Sequence, residues 1–126
     1  MSMHTPLKNV RHLGSAKHGT EHFWQQRLTA LANVPLTIAF VVLVIALSNS
    51  SHADFISVIG SPLVAVVLIA AILSVVWHMK LGMQIVIEDY VHSEGSKVLL
   101  LIANSFFCAA IALMALFAVL KISLGG

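Results

Sequence analysis

His78 lies within a long apolar stretch of the sequence, whereas the other histidines lie outside such stretches. It is therefore the histidine that could bind a metal or transfer a proton in an apolar environment. Ala70, Ser74 and Gly82 occur around it at intervals of four residues, so a helix would place all of them on one face. Small side chains beside a histidine leave room for a broad, flat group, and a haem with a histidine axial ligand is such a group. The alternatives are a histidine hydrogen-bonded to a neighbouring helix and a small-residue face that only allows close helix packing.

A histidine that binds iron also needs a partner for its second ring nitrogen. Ser74 lies one helical turn before His78, so its hydroxyl or its backbone carbonyl is expected to accept a hydrogen bond from the ring and to fix its tautomer. No second histidine lies in a long apolar stretch of the sequence. A haem with two histidine ligands would therefore take its second ligand from another polypeptide.

Glu88, Asp89 and Tyr90 form a second candidate group, at the end of the same apolar stretch. Asp89 follows His78 by eleven residues, about three helical turns, so the two lie on nearly the same face, while Tyr90 is rotated by about 100°. His78 and Asp89 could form a proton relay in a small transporter or channel subunit. The alternative is a tyrosine that anchors the helix at the membrane interface beside two solvated carboxylates.

The charged residues are spaced so that three long stretches of the chain carry no charge. These stretches lie between Arg27 and Asp54, between Asp54 and Lys80, and between Lys97 and Lys121. Each exceeds the roughly 20 residues that a helix needs to cross the hydrocarbon core of a membrane, and none shows the alternation of a spanning β-strand. The pattern predicts an all-α integral membrane protein with three transmembrane helices.

The same pattern predicts the bounds of these elements. We expect transmembrane helices at about 28–47, 62–90 and 98–121. An inner-side N-terminal tail at 1–26 would precede a single membrane domain at 27–126. The segments between the helices are short and rich in Ser, Asn and Gly, which is typical of loops.

The composition excludes several classes of protein. The chain has 126 residues, of which 59% are apolar and only 10% charged, and its mean hydropathy is +0.96. Soluble domains carry about 25% charged residues, so this composition indicates a protein that faces lipid or other apolar helices. A net charge of +2 forms no basic patch for nucleic acid, and a single cysteine excludes an intrachain disulfide and a cysteine-built zinc or iron–sulfur site.

Positive charge predicts the orientation of the spans. Lys8, Arg11 and Lys17 precede the first apolar stretch and are opposed by Glu21 alone, whereas the loop after this stretch has no Lys or Arg. Because positively charged flanking segments stay on the cytoplasmic side, we predict a cytoplasmic N-terminus and a C-terminus on the outer side.

The sequence around His78 resembles a known motif. Gly82 follows His78 by four residues, Asp89 and Tyr90 follow it by eleven and twelve, and Ser74 precedes it by one turn. This pattern resembles the second-helix motif of the succinate dehydrogenase hydrophobic membrane anchor subunits, of the proteobacterial and mitochondrial type. The resemblance implies that His78 is an axial ligand of haem b, supported by Ser74 and Gly82. The other histidine ligand would come from a cytochrome b-type anchor subunit.

A second segment carries the same resemblance. The Arg-x-Thr-Ala sequence at 27–30, with His22 shortly before it, is similar to the start of the first helix in that family. The resemblance implies that Arg27, together with His22, meets the haem propionates, since a guanidinium suits a carboxylate bidentately. It covers residues 22–97, and the last helix matches only as a hydrophobic span.

The resemblance also implies a quinone site and a set of partners. Tyr90 would donate a hydrogen bond to a ubiquinone carbonyl, and Asp89 would support that site or its proton supply. FAD and iron–sulfur clusters would sit on a flavoprotein and an iron–sulfur subunit, because this chain has no Gly-rich dinucleotide motif and one cysteine. The chain would then be a non-catalytic subunit of succinate dehydrogenase in a bacterial inner membrane, packed with a second anchor subunit into a helical bundle. A haem-free anchor of a quinol–fumarate reductase is the related alternative.

Overall fold

The computed structural model of the chain describes residues 19–125, and within that range it contains four helices and no strand. The helices are α1 (Gly19–Leu47), α2 (His52–Ile59), α3 (Pro62–Tyr90) and α4 (Glu94–Ser123). Three of them, α1, α3 and α4, are long and apolar enough to cross a membrane. The prediction of an all-α membrane protein with three spanning helices is therefore confirmed.

The helix bounds differ from the predicted ones mainly at the membrane boundaries. Helix α3 has the predicted bounds, whereas α1 begins at Gly19 instead of about residue 28 and α4 extends over Glu94–Ser123 instead of 98–121. Charged residues mark where a chain leaves the hydrocarbon, but a helix can continue through them into the interface. Residues 1–18 of the predicted tail lie outside the described residues, and the division at 26/27 stays a prediction.

Helix α2 lies in the segment that the sequence predicts as a loop. Its N-terminus is capped by Ser51, whose Oγ accepts a hydrogen bond from the Asp54 backbone N–H at 3.2 Å and donates to Asp54 Oδ2 at 2.7 Å. A serine cap with an acidic residue in the first turn stabilises the helix N-terminus. Ile59, at its other end, is buried. A helix this short is marginal alone, so its packing against α3 and α4 is needed to form it.

Gly60 permits a close approach between the end of α2 and the end of α4. A Cβ atom at this position would lie 2.9 Å from the Ile56 carbonyl oxygen and 3.4 Å from the Ile122 carbonyl oxygen. The Gly60 carbonyl also accepts a hydrogen bond from Ser123 Oγ at 3.5 Å. A larger residue would therefore crowd the Ile56 carbonyl within α2 itself, while the Ile122 carbonyl of α4 lies at van der Waals distance.

Helix α3 is the central element, because both α1 and α4 pack against it. Its contact with α4 includes a polar link: Asn104 Nδ2 donates to the Lys80 carbonyl oxygen at 3.0 Å, and Cys108 Sγ donates to Asn104 Oδ1 at 3.5 Å. Asn104 and Cys108 are both buried. In a membrane, where apolar surfaces gain little from contacting one another, such small and polar side chains hold helices together.

Most large apolar side chains of the three long helices face outwards. In the membrane-spanning part of α1 no residue is buried, and Leu31, Ile38 and Ile45 are among its exposed apolar residues. A surface this apolar faces lipid or the helices of another protein.

Candidate functional site

His78 lies on α3 at the contact with α1, where a polar residue of α1 meets its ring. Its Nδ1 atom is 3.0 Å from Thr29 Oγ1. The Thr29 hydroxyl also lies 2.7 Å from the Gln25 carbonyl oxygen and 3.2 Å from that of Gln26. His78 Nε2 has no hydrogen-bond partner among residues 19–125. Of the two ring nitrogens, Nδ1 is therefore held by a neighbouring helix and Nε2 is not, within these residues.

Ser74 does not make the hydrogen bond to His78 that the sequence predicts. Its Oγ atom is buried and has no hydrogen-bond partner in the described part of the chain. Thr29, on the facing helix, takes that role instead. Spacing along one sequence describes the neighbours within one helix, whereas this partner of His78 comes from another helix, and the support of a haem ligand by Ser74 stays a prediction.

Two further observations show how α1 runs along α3 on either side of Thr29 and His78. Trp77 Nε1 donates to Gln25 Oε1 at 3.3 Å. A Cβ atom at Gly82 would lie 3.5 Å from Gln26 Nε2, so the missing side chain leaves room for α1 beside the next turn of α3. Gly82 therefore lies at the α1–α3 contact, one helical turn from His78, as the spacing predicts.

A groove of about 470 Å³ opens between α1 and α3 beside this contact. Small and apolar side chains line it: Leu28, Thr29, Ala32, Ala70, Leu73, Ser74 and Trp77. Ala70 and Ser74, two members of the predicted small-residue face, belong to this lining, and so does Thr29, which contacts His78. Part of the small-residue face, at Ala70 and Ser74, thus lines an open groove, whereas Gly82 lies against α1.

Arg27 and His22 lie on α1 and are exposed. The Arg27 guanidinium carbon is 5.1 Å from the centre of the Phe23 ring, which is a cation–π contact. Thr29 is the second residue after Arg27, so the two point in nearly opposite directions, whereas His22 and Thr29 are seven positions apart and share a side. Within the described chain neither residue makes a hydrogen bond to His78.

Asp89 and Tyr90 are the last residues of α3, and both are exposed. The Tyr90 side chain is 78% exposed. Glu88, by contrast, accepts a hydrogen bond from Gln84 Nε2 at 2.8 Å along the helix surface. Among the described residues no side chain bonds to the Asp89 carboxylate or the Tyr90 hydroxyl, so both groups can contact another molecule.

A larger cavity, of about 800 Å³, lies towards the opposite end of the spans, beneath α2. Within residues 19–125, Thr37 and Ser48 are its polar lining residues, and no titratable side chain lines it. Among the described residues this cavity therefore offers no side chain of the kind found around His78 and at the end of α3.

Three hydrogen-bonded contacts between the long helices were not predicted from the sequence: Thr29 to His78, Gln25 to Trp77 and Asn104 to Lys80. Thr29 stands in the Arg-x-Thr-Ala sequence that carries the resemblance, so its position was visible but its partner was not. Asn104 is the one amide side chain within the last apolar stretch, a signal that could have indicated a helix contact.

Comparisons with known proteins bear on the whole chain. Residues 1–117 match the model of the succinate dehydrogenase/fumarate reductase transmembrane subunit family. The succinate dehydrogenase hydrophobic membrane anchor subunit of Paracoccus denitrificans is 30% identical over 121 residues, covering 96% of this chain and 93% of the relative. The corresponding subunit of Rickettsia bellii is 32% identical over 101 residues, covering 80% of this chain and 81% of the relative.

A third relative extends the same result. The succinate dehydrogenase membrane anchor subunit of Reclinomonas americana is 27% identical over 96 residues, covering 72% of this chain and 78% of the relative. No solved structure matches the chain at a significant level. The family match disfavours the alternative of a transporter or channel subunit. The chain belongs to the family of succinate dehydrogenase hydrophobic membrane anchor subunits.

Proposed function

We propose that this chain anchors a succinate dehydrogenase in a bacterial inner membrane, supplies one axial ligand of haem b and contributes to the site where ubiquinone is reduced. Succinate is oxidised on another subunit of the complex and not on this chain. FAD and the iron–sulfur clusters belong to a flavoprotein and an iron–sulfur subunit, and the second haem ligand belongs to a cytochrome b-type anchor subunit. Its N-terminus lies on the cytoplasmic side.

The observation that carries the haem proposal is the state of the His78 ring. Thr29 occupies Nδ1, while Nε2 has no partner within residues 19–125. A histidine that binds haem iron has this arrangement, with one nitrogen free for the metal and the other hydrogen-bonded to the protein. The residues present therefore suit a haem, which when bound supplies one-electron redox chemistry inside the membrane.

The groove beside His78 supports the same proposal. Its lining of small side chains, among them Ala32, Ala70 and Ser74, allows a planar macrocycle or a partner helix to approach the backbone. Arg27 and His22, nearer the start of α1, are exposed and are proposed to bind the haem propionates. Arg27 is suited to this because its guanidinium matches a carboxylate with two parallel hydrogen bonds.

A second anchor subunit is supported by the apolar surface of α1. No residue in its membrane-spanning part is buried, and large apolar side chains face outwards along α1 and α4. A partner helix bundle that carries the second histidine ligand would cover part of this surface and close the haem site. This chain would then supply half of the ligand set.

The quinone proposal rests on the inner end of α3. The Tyr90 hydroxyl and the Asp89 carboxylate are both exposed and free of hydrogen bonds within the described part of the chain. Quinone reduction needs a hydrogen-bond donor for a carbonyl oxygen that gains negative charge, and it needs protons. The Tyr90 hydroxyl can donate that bond, and Asp89 can pass protons from the aqueous side.

The haem proposal is tested by replacing His78. In the complex purified with its partner subunits, His78→Ala is expected to remove or alter the b-type haem signal in the reduced-minus-oxidised absorption spectrum. The span still inserts, because the variant loses an ionisable group from its apolar stretch. His92→Ala is the matched control, since His92 is exposed in the loop after α3 and should leave the spectrum unchanged. An unchanged haem spectrum in the His78 variant would overturn the proposal, and no haem in the unmodified complex would favour the haem-free alternative.

A further inference from the structure

We propose that Thr29 sets the tautomer of His78 and the electron density on its Nε2 atom, which makes Thr29 a positioning residue of the haem site. The inference rests on the proposed function of His78 as an axial ligand. The Thr29 hydroxyl on α1 would thereby influence how His78, on α3, binds the haem iron.

The direction of the hydrogen bond follows from the number of protons available. A threonine hydroxyl has one proton and can accept two hydrogen bonds. The contact to the Gln25 carbonyl oxygen is the shortest that Thr29 Oγ1 makes, at 2.7 Å, and a carbonyl can only accept. The Thr29 proton therefore points to Gln25, and at the 3.0 Å contact Oγ1 accepts a hydrogen bond from the His78 Nδ1–H.

This arrangement selects one of the two forms of the neutral imidazole. With the proton on Nδ1, the lone pair is on Nε2, where an iron ion would be bound. In the opposite tautomer Thr29 Oγ1 would have to donate its single proton to Nδ1, and the 2.7 Å hydrogen bond to the Gln25 carbonyl would be lost. Thr29 therefore prepares Nε2 as the ligand atom before any haem arrives.

The surroundings of Thr29 make it a stable acceptor. Threonine is branched at Cβ and has few rotamers in a helix, where its hydroxyl commonly bonds to a carbonyl in the preceding turn, as it does here with Gln25. The same Gln25 is tied to α3 through the hydrogen bond from Trp77. Both links join α1 to adjacent residues of α3, so they hold the two helices at one relative rotation around His78.

The hydrogen bond also has an electronic consequence. When the Nδ1–H donates to an oxygen, its proton is partly shared with that oxygen and electron density moves into the ring, so the ring becomes a stronger electron donor at Nε2. A more basic ligand stabilises the ferric ion relative to the ferrous ion. Loss of the Thr29 oxygen should therefore raise the midpoint potential of the haem.

The test is a redox titration of the haem in the purified complex, followed by absorption. Thr29→Val keeps the shape of the side chain and removes its oxygen. We expect the affinity of the complex for ferrous haem, divided by its affinity for ferric haem, to rise about tenfold. For a one-electron couple this is a shift of the midpoint potential of about 59 mV to higher values. Thr29→Ser keeps the hydroxyl and should stay close to the unmodified potential.

Thr37→Val is the matched control, because it makes the same substitution on the same helix at a residue that lines the distant apolar cavity. It should leave the potential unchanged. If Thr29→Val does not assemble, Thr29→Ala and Thr29→Ser provide the comparison, since these two variants differ by one hydroxyl. The inference would be overturned if the haem had the same midpoint potential in Thr29→Val as in Thr29→Ser, or, in the second comparison, in Thr29→Ala as in Thr29→Ser.

The outcome separates this inference from the proposed function. Haem that persists unchanged in His78→Ala would show that His78 is not a ligand, so both proposals would fail. Haem that is lost in His78→Ala but keeps its potential in Thr29→Val would leave the ligand assignment standing and refute the role of Thr29 alone.

Discussion

Replacing Tyr90 with phenylalanine is expected to slow electron transfer to ubiquinone without disturbing the fold. Tyr90 is the last residue of α3, its side chain is 78% exposed, and its hydroxyl has no hydrogen-bond partner in the described chain. Removing that oxygen therefore breaks no internal contact. The aromatic ring, which would lie against an apolar quinone, is kept.

The size of the effect follows from the charge that develops on the quinone. A hydrogen bond to an oxygen that becomes negative during the reaction is stronger in the transition state than in the ground state, so its loss slows the step itself. Removing one such donor lowers a rate by about 10- to 1000-fold, which corresponds to about 1.4–4 kcal/mol. Assembly and haem content should be unchanged.

The assay compares two electron acceptors with the same purified complex. Succinate oxidation coupled to ubiquinone should fall in Tyr90→Phe, whereas succinate oxidation coupled to an artificial acceptor that bypasses the membrane should not. The haem spectrum checks assembly. An equal loss with both acceptors would indicate an assembly defect, and an unchanged rate with ubiquinone would refute the reasoning about Tyr90.

Two further predictions concern the fold. Asn104→Ala removes the bond from Asn104 Nδ2 to the Lys80 carbonyl and should destabilise the complex by about 0.6–1.7 kcal/mol, seen as a lower midpoint of thermal unfolding in detergent. Ser105→Ala is its control, since that hydroxyl bonds only within α4, and equal stability of the two variants would contradict the prediction. A reporter fused before Met1 should lie in the cytoplasm and one fused after Gly126 on the outer side. Finding both ends on one side would contradict three spans.

The spans and their order could be predicted from the sequence alone. Charged side chains are costly in hydrocarbon, so the three stretches bounded by Arg27, Asp54, Lys80, Lys97 and Lys121 had to be helices that cross or approach the membrane. The bounds of α3 were predicted correctly, because a proline begins it and a short polar segment ends it. The small residues around His78 were also predicted to share a face, since a helix imposes that spacing regardless of its neighbours.

The tertiary structure decided which residue of another helix meets each of these side chains. The sequence suggested Ser74 as the partner of the His78 ring, and the structure gives Thr29. It also joined Asn104 to Lys80, and it formed α2 in a segment expected to be a loop. Spacing within one helix follows from backbone geometry and can be read locally. The rotation and register of two packed helices depend on how all the side chains along their contact fit together, and that sum is available only when the whole chain is folded.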